Sequence, residues 1–388
     1  MLNGARIPWA ALIVALATTC LACSSKNPPQ GALDEYKLLS RWLVEVYRPR
    51  TPLERHQLEE MAGPTLVGDS LYLANPNGGF EKRLVATGEV LWSTPLDAVS
   101  QASWAYSDGL LYGGDVRGNL YSIEAATGKI RWKTPNKGVY FSRPLVGADQ
   151  IWILTSGGTI QSYRRDSGQW LWQQADPNPK SLSLWSFQGP VLFSGLIIAG
   201  FPSSILQAFD PSTGKVMWNE SLATLPEGAD NFNDLKSVAV PDQFLIASSF
   251  SGDLKAWQAM AGSKKLAWQK PLSLYAPISI DPDGSTIYAS VRDGTVKALE
   301  LKTGFVRWSF ELPRGLPTQA AVGKDVVWVG SSAGEVFILS KDGKKLAQTN
   351  DLQTAIWNPP TLLSDDEALV LTSQAVLRKL RLVKTSSR

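Results

Sequence analysis

Few residues in this chain are placed for bond-making chemistry. Its two cysteines, Cys20 and Cys23, both stand near the N-terminus, and everything after them is cysteine-free. That excludes a disulfide framework and a thiolate metal site from the body of the protein. The single histidine is His56. Multi-histidine zinc sites are therefore excluded, and a nucleophile–histidine triad would have to be built on that one residue. No phosphate-cradling Gly-Lys-Ser/Thr loop and no Gly-x-Ser-x-Gly elbow occurs. The carboxylates are dispersed with no metal-ligand run, and Asp365-Asp366-Glu367 reads as a solvated turn. A formal net charge of +3 over the whole chain argues against binding to nucleic acid through a strong positive field. The residues point to binding rather than catalysis, and neither a cofactor nor a metal is expected.

The cysteines suit a different chemistry. Arg6 supplies a positive start, and residues 7–21 are apolar and rich in small side chains. The stretch is short for a membrane span and reads as a secretory signal. It ends in Cys20-Leu21-Ala22-Cys23-Ser24-Ser25, which resembles a bacterial lipobox, with small Ala22 before the lipidated Cys23. Cys20 departs from the usual leucine three residues before the acceptor. An ordinary signal peptide with incidental cysteines is the alternative. Two or more acyl chains on Cys23 would anchor stably where one anchors weakly. Ser24 after the acceptor points, by analogy with lipoprotein sorting, to the outer membrane. The organisation expected is a signal peptide over 1–22, a lipidated cysteine and polar tether over 23–37, and one folded body over 38–385.

Two rulers run through that body. A phrase of the form Ala86-Thr87-Gly88-Glu89-Val90-Leu91-Trp92 returns around Trp132, Trp172, Trp218 and Trp308, each tryptophan four residues after a glycine. A second glycine lies ten residues upstream: Gly78 before Gly88, Gly118 before Gly128, Gly158 before Gly168, Gly294 before Gly304. Three copies are degraded. Ser204 replaces the upstream glycine in one, Trp268 follows Gly262 by six in another, and Ala347 stands where a tryptophan is due after Gly343. Glycines at this spacing mark hairpin turns that need positive φ. The β-rich runs between them, with the residues preceding each copy, make four strands about every 40 residues, the signature of propeller blades. The tryptophan is expected to wedge between blades. Seven copies are counted this way, and Trp42 marks an eighth outer strand. The C-terminal strands around 368–372 and 376–380 have no tryptophan strand after them. The fold class expected is all-β: an eight-bladed β-propeller of four-stranded antiparallel blades, the last closed by N- and C-terminal strands, which closes the ring and leaves neither chain end as a loose strand. A seven-bladed ring with loose termini is the alternative.

Two adjacent internal tryptophan intervals are longer than their internal neighbours, 46 residues from Trp172 to Trp218 and 50 from Trp218 to Trp268, and much of the extra length falls in the connectors 173–187 and 225–236. Both join an outer strand to the next blade, so they should emerge side by side on one rim. The first contains Ser181-Leu182-Ser183-Leu184-Trp185, and the second contains Asp230 and Asp234. Apolar residues on a rim suggest a protein-binding patch. Alternatively, Leu182 and Leu184 begin an inner strand and are buried, and the two aspartates cap loops.

The lipobox, the tether, the blade repeat and the Ser-Leu-Ser-Leu connector together resemble the BamB family, propeller lipoproteins of the outer-membrane β-barrel assembly machinery. The resemblance covers nearly the whole mature chain. It implies a non-catalytic scaffold at the outer membrane, facing the periplasm of a Gram-negative bacterium. It also implies partners: the POTRA region of BamA, other members of the assembly complex, and unfolded outer-membrane proteins received by β-augmentation. The partner-binding positions it implies are Leu182 and Leu184, with Trp185 where the family has an arginine, and Asp230 and Asp234 as loose counterparts of its paired aspartates. The enzyme alternative is a propeller that binds pyrroloquinoline quinone, whose blades share the Thr-Gly-x-x-x-Trp phrase; a structural envelope lipoprotein with an unrelated partner is a third reading.

Overall fold

A computed structural model describes residues 36–46, 62–135, 138–179, 188–222, 235–250, 252–260, 263–349, 352 and 354–385. The described strands form eight four-stranded antiparallel sheets. Blades 1 to 7 cover residues 65–95, 105–135, 145–175, 191–221, 235–270, 279–311 and 321–349, each a meander in chain order. Blade 8 takes three strands from 361–384 and its outermost strand, β1 (Tyr36–Glu45), from the other end of the chain. β1 pairs antiparallel along the whole of the last strand, Val376–Lys384, from Tyr36↔Lys384 to Glu45↔Val376. The ring therefore has eight blades and is closed by the two termini.

The core is a set of layers between blades. Each of eight buried apolar clusters spans one junction between neighbours. No blade buries both faces alone, so each depends on the next.

At most junctions one contact recurs. The outer-strand tryptophan lies on the glycine of the next blade's last turn. A Cβ at Gly128 would stand 2.7 Å from Trp92 Cε3, at Gly168 2.5 Å from Trp132 Cε3, at Gly214 2.5 Å from Trp172 Cδ2, and at Gly304 2.8 Å from Trp268 Cδ2. Gly343 meets Trp308 the same way, and Gly88 meets Trp42 and Val44 across the closing junction. These glycines also have positive φ. The side-chain-free position is thus required twice, by backbone conformation and by the indole above it. The indole Nε1–H then donates to a carbonyl just before the glycine: Trp92 to Ala125 (3.2 Å), Trp132 to Arg165 (3.1 Å), Trp268 to Leu301 (2.8 Å), Trp308 to Lys341 (2.7 Å).

A β-bulge aims the indole. In all eight blades the register slips at the residue before the tryptophan position, so Ser122 pairs Trp132 while Ile123 pairs Ile130. The skipped residue is exposed in blades such as 1, 2 and 4 (Leu91, Arg131, Met217), while Leu171 and Leu346 in blades 3 and 7 pack partly against the core, and the twist of the edge strand sharpens.

The degraded copies keep the geometry by other means. Ser204 holds φ +64 without a glycine, as does Ala375 at φ +56 in blade 8. The longer turn before Trp268 leaves the Ala256–Trp268 pairing in place. Where Trp218 reaches blade 5, the Lys264 ammonium sits 4.6 Å from its ring centre and 4.9 Å from that of Trp257, and it pairs with Glu220 at 2.7 Å.

Ala347 has a topological cause. The third and outer strands of blade 8 are the two chain ends, so that blade has no turn for an indole to cover. Ala347 packs instead with Leu380, Leu382, Tyr36 and Leu38. The junction is tied elsewhere, and here the reading of Asp365 as a solvated turn residue is corrected. Its carboxylate accepts the backbone N–H of Lys324 (2.7 Å) and Asp325 (2.9 Å), while its carbonyl accepts Trp328 Nε1–H (3.0 Å).

Trp268→Ala removes a buried indole and should cost about 3–5 kcal/mol. Restoring the repeat with Ala347→Trp should destabilise by about 1–3 kcal/mol, because it overpacks a filled layer. Urea-unfolding midpoints check both, and a stabilised Ala347→Trp variant contradicts this account of closure.

Candidate functional site

In an up-and-down meander, the turn between second and third strands and the connector to the next blade share one end of the ring. On this end the two long connectors leave and return. The first departs after Ala175 and re-enters at Gln188; the second departs after Leu222 and re-enters at Leu235. Leu182, Leu184, Trp185, Asp230 and Asp234 lie outside the described residues, as do Cys23 and His56. The structure describes the anchoring points of these connectors.

Those points are stitched to the scaffold and to each other. Asp176, 5% exposed, accepts the Ser203 backbone N–H at 3.0 Å, the Ser203 hydroxyl at 2.5 Å and the Asn178 N–H at 3.0 Å. It fastens the departing first connector to a turn of blade 4. The Gln188 side-chain carbonyl accepts the backbone N–H of Val238 at 3.2 Å. That bond links the return of the first connector to the inner strand of blade 5, which the second connector enters. Leu235 is buried beneath Gly200, where a Cβ would stand 2.2 Å from Leu235 Cδ2. Leu222 is fully buried, and its carbonyl accepts the Ser249 hydroxyl at 3.3 Å. The expectation that the connectors emerge side by side thus holds at their anchors.

The same end opens into an axial channel that pattern reading missed. The first strands of neighbouring blades approach one another around the axis. Residues at or just before them line a cavity of about 800 Å³ that all eight blades enclose. The available signal was a short phrase before the inner strands, Gly63-Pro64, Arg143-Pro144, Gly189-Pro190 and Asn358-Pro359. Proline suits the start of an edge strand because it lacks an N–H.

The chemistry of the lining is simple. Its charged groups are Arg143 and Lys236, with amide side chains at Gln101, Gln188, Gln319 and Asn358 and apolar surface from Trp104 and Trp357. Carboxylates are missing from the described lining, and no group of three or more His, Cys, Asp or Glu stands together among the described residues. Calcium takes six to eight oxygen ligands, carboxylates prominent among them. These residues do not fit a calcium-held quinone. The described residues also contain no helix long and apolar enough to cross a membrane.

A family model described as outer membrane protein assembly factor BamB matches residues 78–310. The BamB of Bordetella pertussis is 30% identical over 82% of each chain, and that of Burkholderia pseudomallei 27% identical over 80% of this chain and 81% of its own. Among solved structures, BamB from Moraxella catarrhalis superposes with a TM-score of 0.74 at 21% identity, covering 89% of this chain and 99% of that one. A europium-containing methanol dehydrogenase reaches a TM-score of 0.71 at 13% identity, covering 89% and 93%; at that distance it shares the fold alone.

Asp176→Ala should leave the Ser203 N–H buried without its acceptor and cost about 1–3 kcal/mol. Hydrogen–deuterium exchange at Ser203 should accelerate while blade 6 stays unchanged. Unaltered exchange there would remove Asp176 as the anchor.

Proposed function

The chain belongs to the family of outer membrane protein assembly factor BamB, and on that premise we propose that it serves outer-membrane protein assembly as a non-catalytic scaffold lipoprotein. The observation that carries this reading is the pair of long connectors with anchors stitched together on one end of a rigid ring. Such an end presents an extended surface at little ordering cost, which suits holding a protein partner.

The partner in this reading is the periplasmic POTRA region of BamA. Leu182 and Leu184 supply apolar anchors, and Trp185 adds an aromatic one where the family carries an arginine. Asp230 and Asp234 supply charge from the neighbouring connector. An aromatic anchor makes the contact less dependent on salt than a charged one. Cys23 carries the lipid that holds the ring at the periplasmic face of the outer membrane, and residues 24–35, which precede the first strand, space it from the bilayer. Unfolded outer-membrane chains pair transiently with outer strands of the blades, whose far edges carry unpaired backbone groups.

A pull-down of the BamA POTRA region with the Leu182→Ala, Leu184→Ala double variant should lose most of the binding, with the circular dichroism spectrum of the ring unchanged. Undiminished binding would sink the assignment of the site.

A further inference from the structure

We propose that the axial channel is a binding site for carboxylate groups, with Arg143 as its anchor. This does not rest on the partner reading above.

Arg143 is set rather than incidental. Pro144 follows it, and the hydroxyl of Ser142 before it both donates to the Leu154 carbonyl (2.9 Å) and accepts the Leu154 N–H (3.1 Å). Gly189, two residues before the inner strand of blade 4 as Arg143 is in blade 3, lies against its backbone. A Cβ there would stand 2.0 Å from the Arg143 carbonyl oxygen. A carbonyl cannot swing aside as a side chain can, so Gly189 tolerates no side chain there and its close approach holds the Arg143 backbone in place.

The side chain reaches that lumen. It is solvent-accessible, yet the surrounding walls desolvate it and hold the guanidinium below its ordinary pKa. It makes no hydrogen bond or ion pair among the described residues. Several cations of the ring have carboxylate partners, among them Arg314 with Glu335 at 2.9 Å, Lys133 with Asp97 at 2.7 Å, and Lys341 with Asp281 at 2.6 Å. A solvent-accessible guanidinium facing a cavity whose described lining offers no counter-charge is open to pairing with an incoming anion. The planar fork of arginine matches a carboxylate through two parallel N–H···O bonds. Lys236 adds a second positive charge on the wall, and no described lining residue contributes a negative one. The cavity volume lies within the range of about 300–1,000 Å³ usual for small-ligand sites.

Two sources of carboxylate fit: a free polycarboxylate, or an acidic polypeptide segment entering the mouth. Calorimetric titration at low ionic strength with citrate and, separately, with a hexaglutamate peptide distinguishes them. At least one should bind one-to-one. Arg143→Gln should weaken it about tenfold or more, Arg143→Lys should keep part of it, and Arg117→Gln, an exposed cation on a turn at the same end, should leave it unchanged. The ligand-free Arg143→Gln protein should melt no lower than the parent, because the charge it loses has no partner among the described residues. The proposal is overturned if neither probe binds, if Arg143→Gln binds as the parent does, or if Arg143→Gln melts lower, which would make Arg143 a structural cation.

Discussion

The ring depends on one contact, an indole laid on a glycine of the next blade. The glycine turn needs positive φ, and the indole needs a backbone without a side chain beneath it; one residue meets both needs. The Nε1–H then finds a carbonyl just before that glycine, so the bulky apolar body is buried with its one donor satisfied. The two spacings in the chain, glycine to glycine within a blade and glycine to tryptophan across its last turn, are the linear trace of this contact. A β-bulge before each tryptophan position turns it toward its neighbour.

The function proposed follows from what this rigidity carries. Eight inter-blade layers hold the ring, and on it the anchors of two long connectors are fixed by Asp176 and Gln188. Partner-binding residues on long connections are effective when their ends do not move apart, since less ordering is then lost on binding. The same end opens the axial channel, whose described lining carries positive charge only; in the function proposed, the connectors beside it bring apolar and acidic residues.

Much of this architecture was legible because repetition makes local signals redundant. A missing glycine at Ser204, or a longer turn before Trp268, could be read as a degraded copy because its neighbours were intact. What escaped was whatever depends on closure. Ala347 looked like decay; it follows from blade 8 lacking a last turn, which no window around residue 347 contains. Asp365 looked like one of three solvated acids, and its backbone partners lie about forty residues away. The channel escaped for the same reason. Its lining comes one or a few residues at a time from eight blades, so Arg143 has no local pattern that marks it.

A double-mutant cycle on one junction tests the central contact most directly. Trp172 and Gly214 are suited to it, with the would-be Cβ 2.5 Å from the indole, φ +70 at the glycine and the Nε1–H bond to Pro211 at 3.0 Å. Unfolding free energies of Gly214→Ala would be measured in the parent and in the Trp172→Ala background. The account predicts a large cost in the parent that falls to the left-handed backbone penalty alone, about 1–2 kcal/mol, once the indole is gone. Equal costs in the two backgrounds would contradict it.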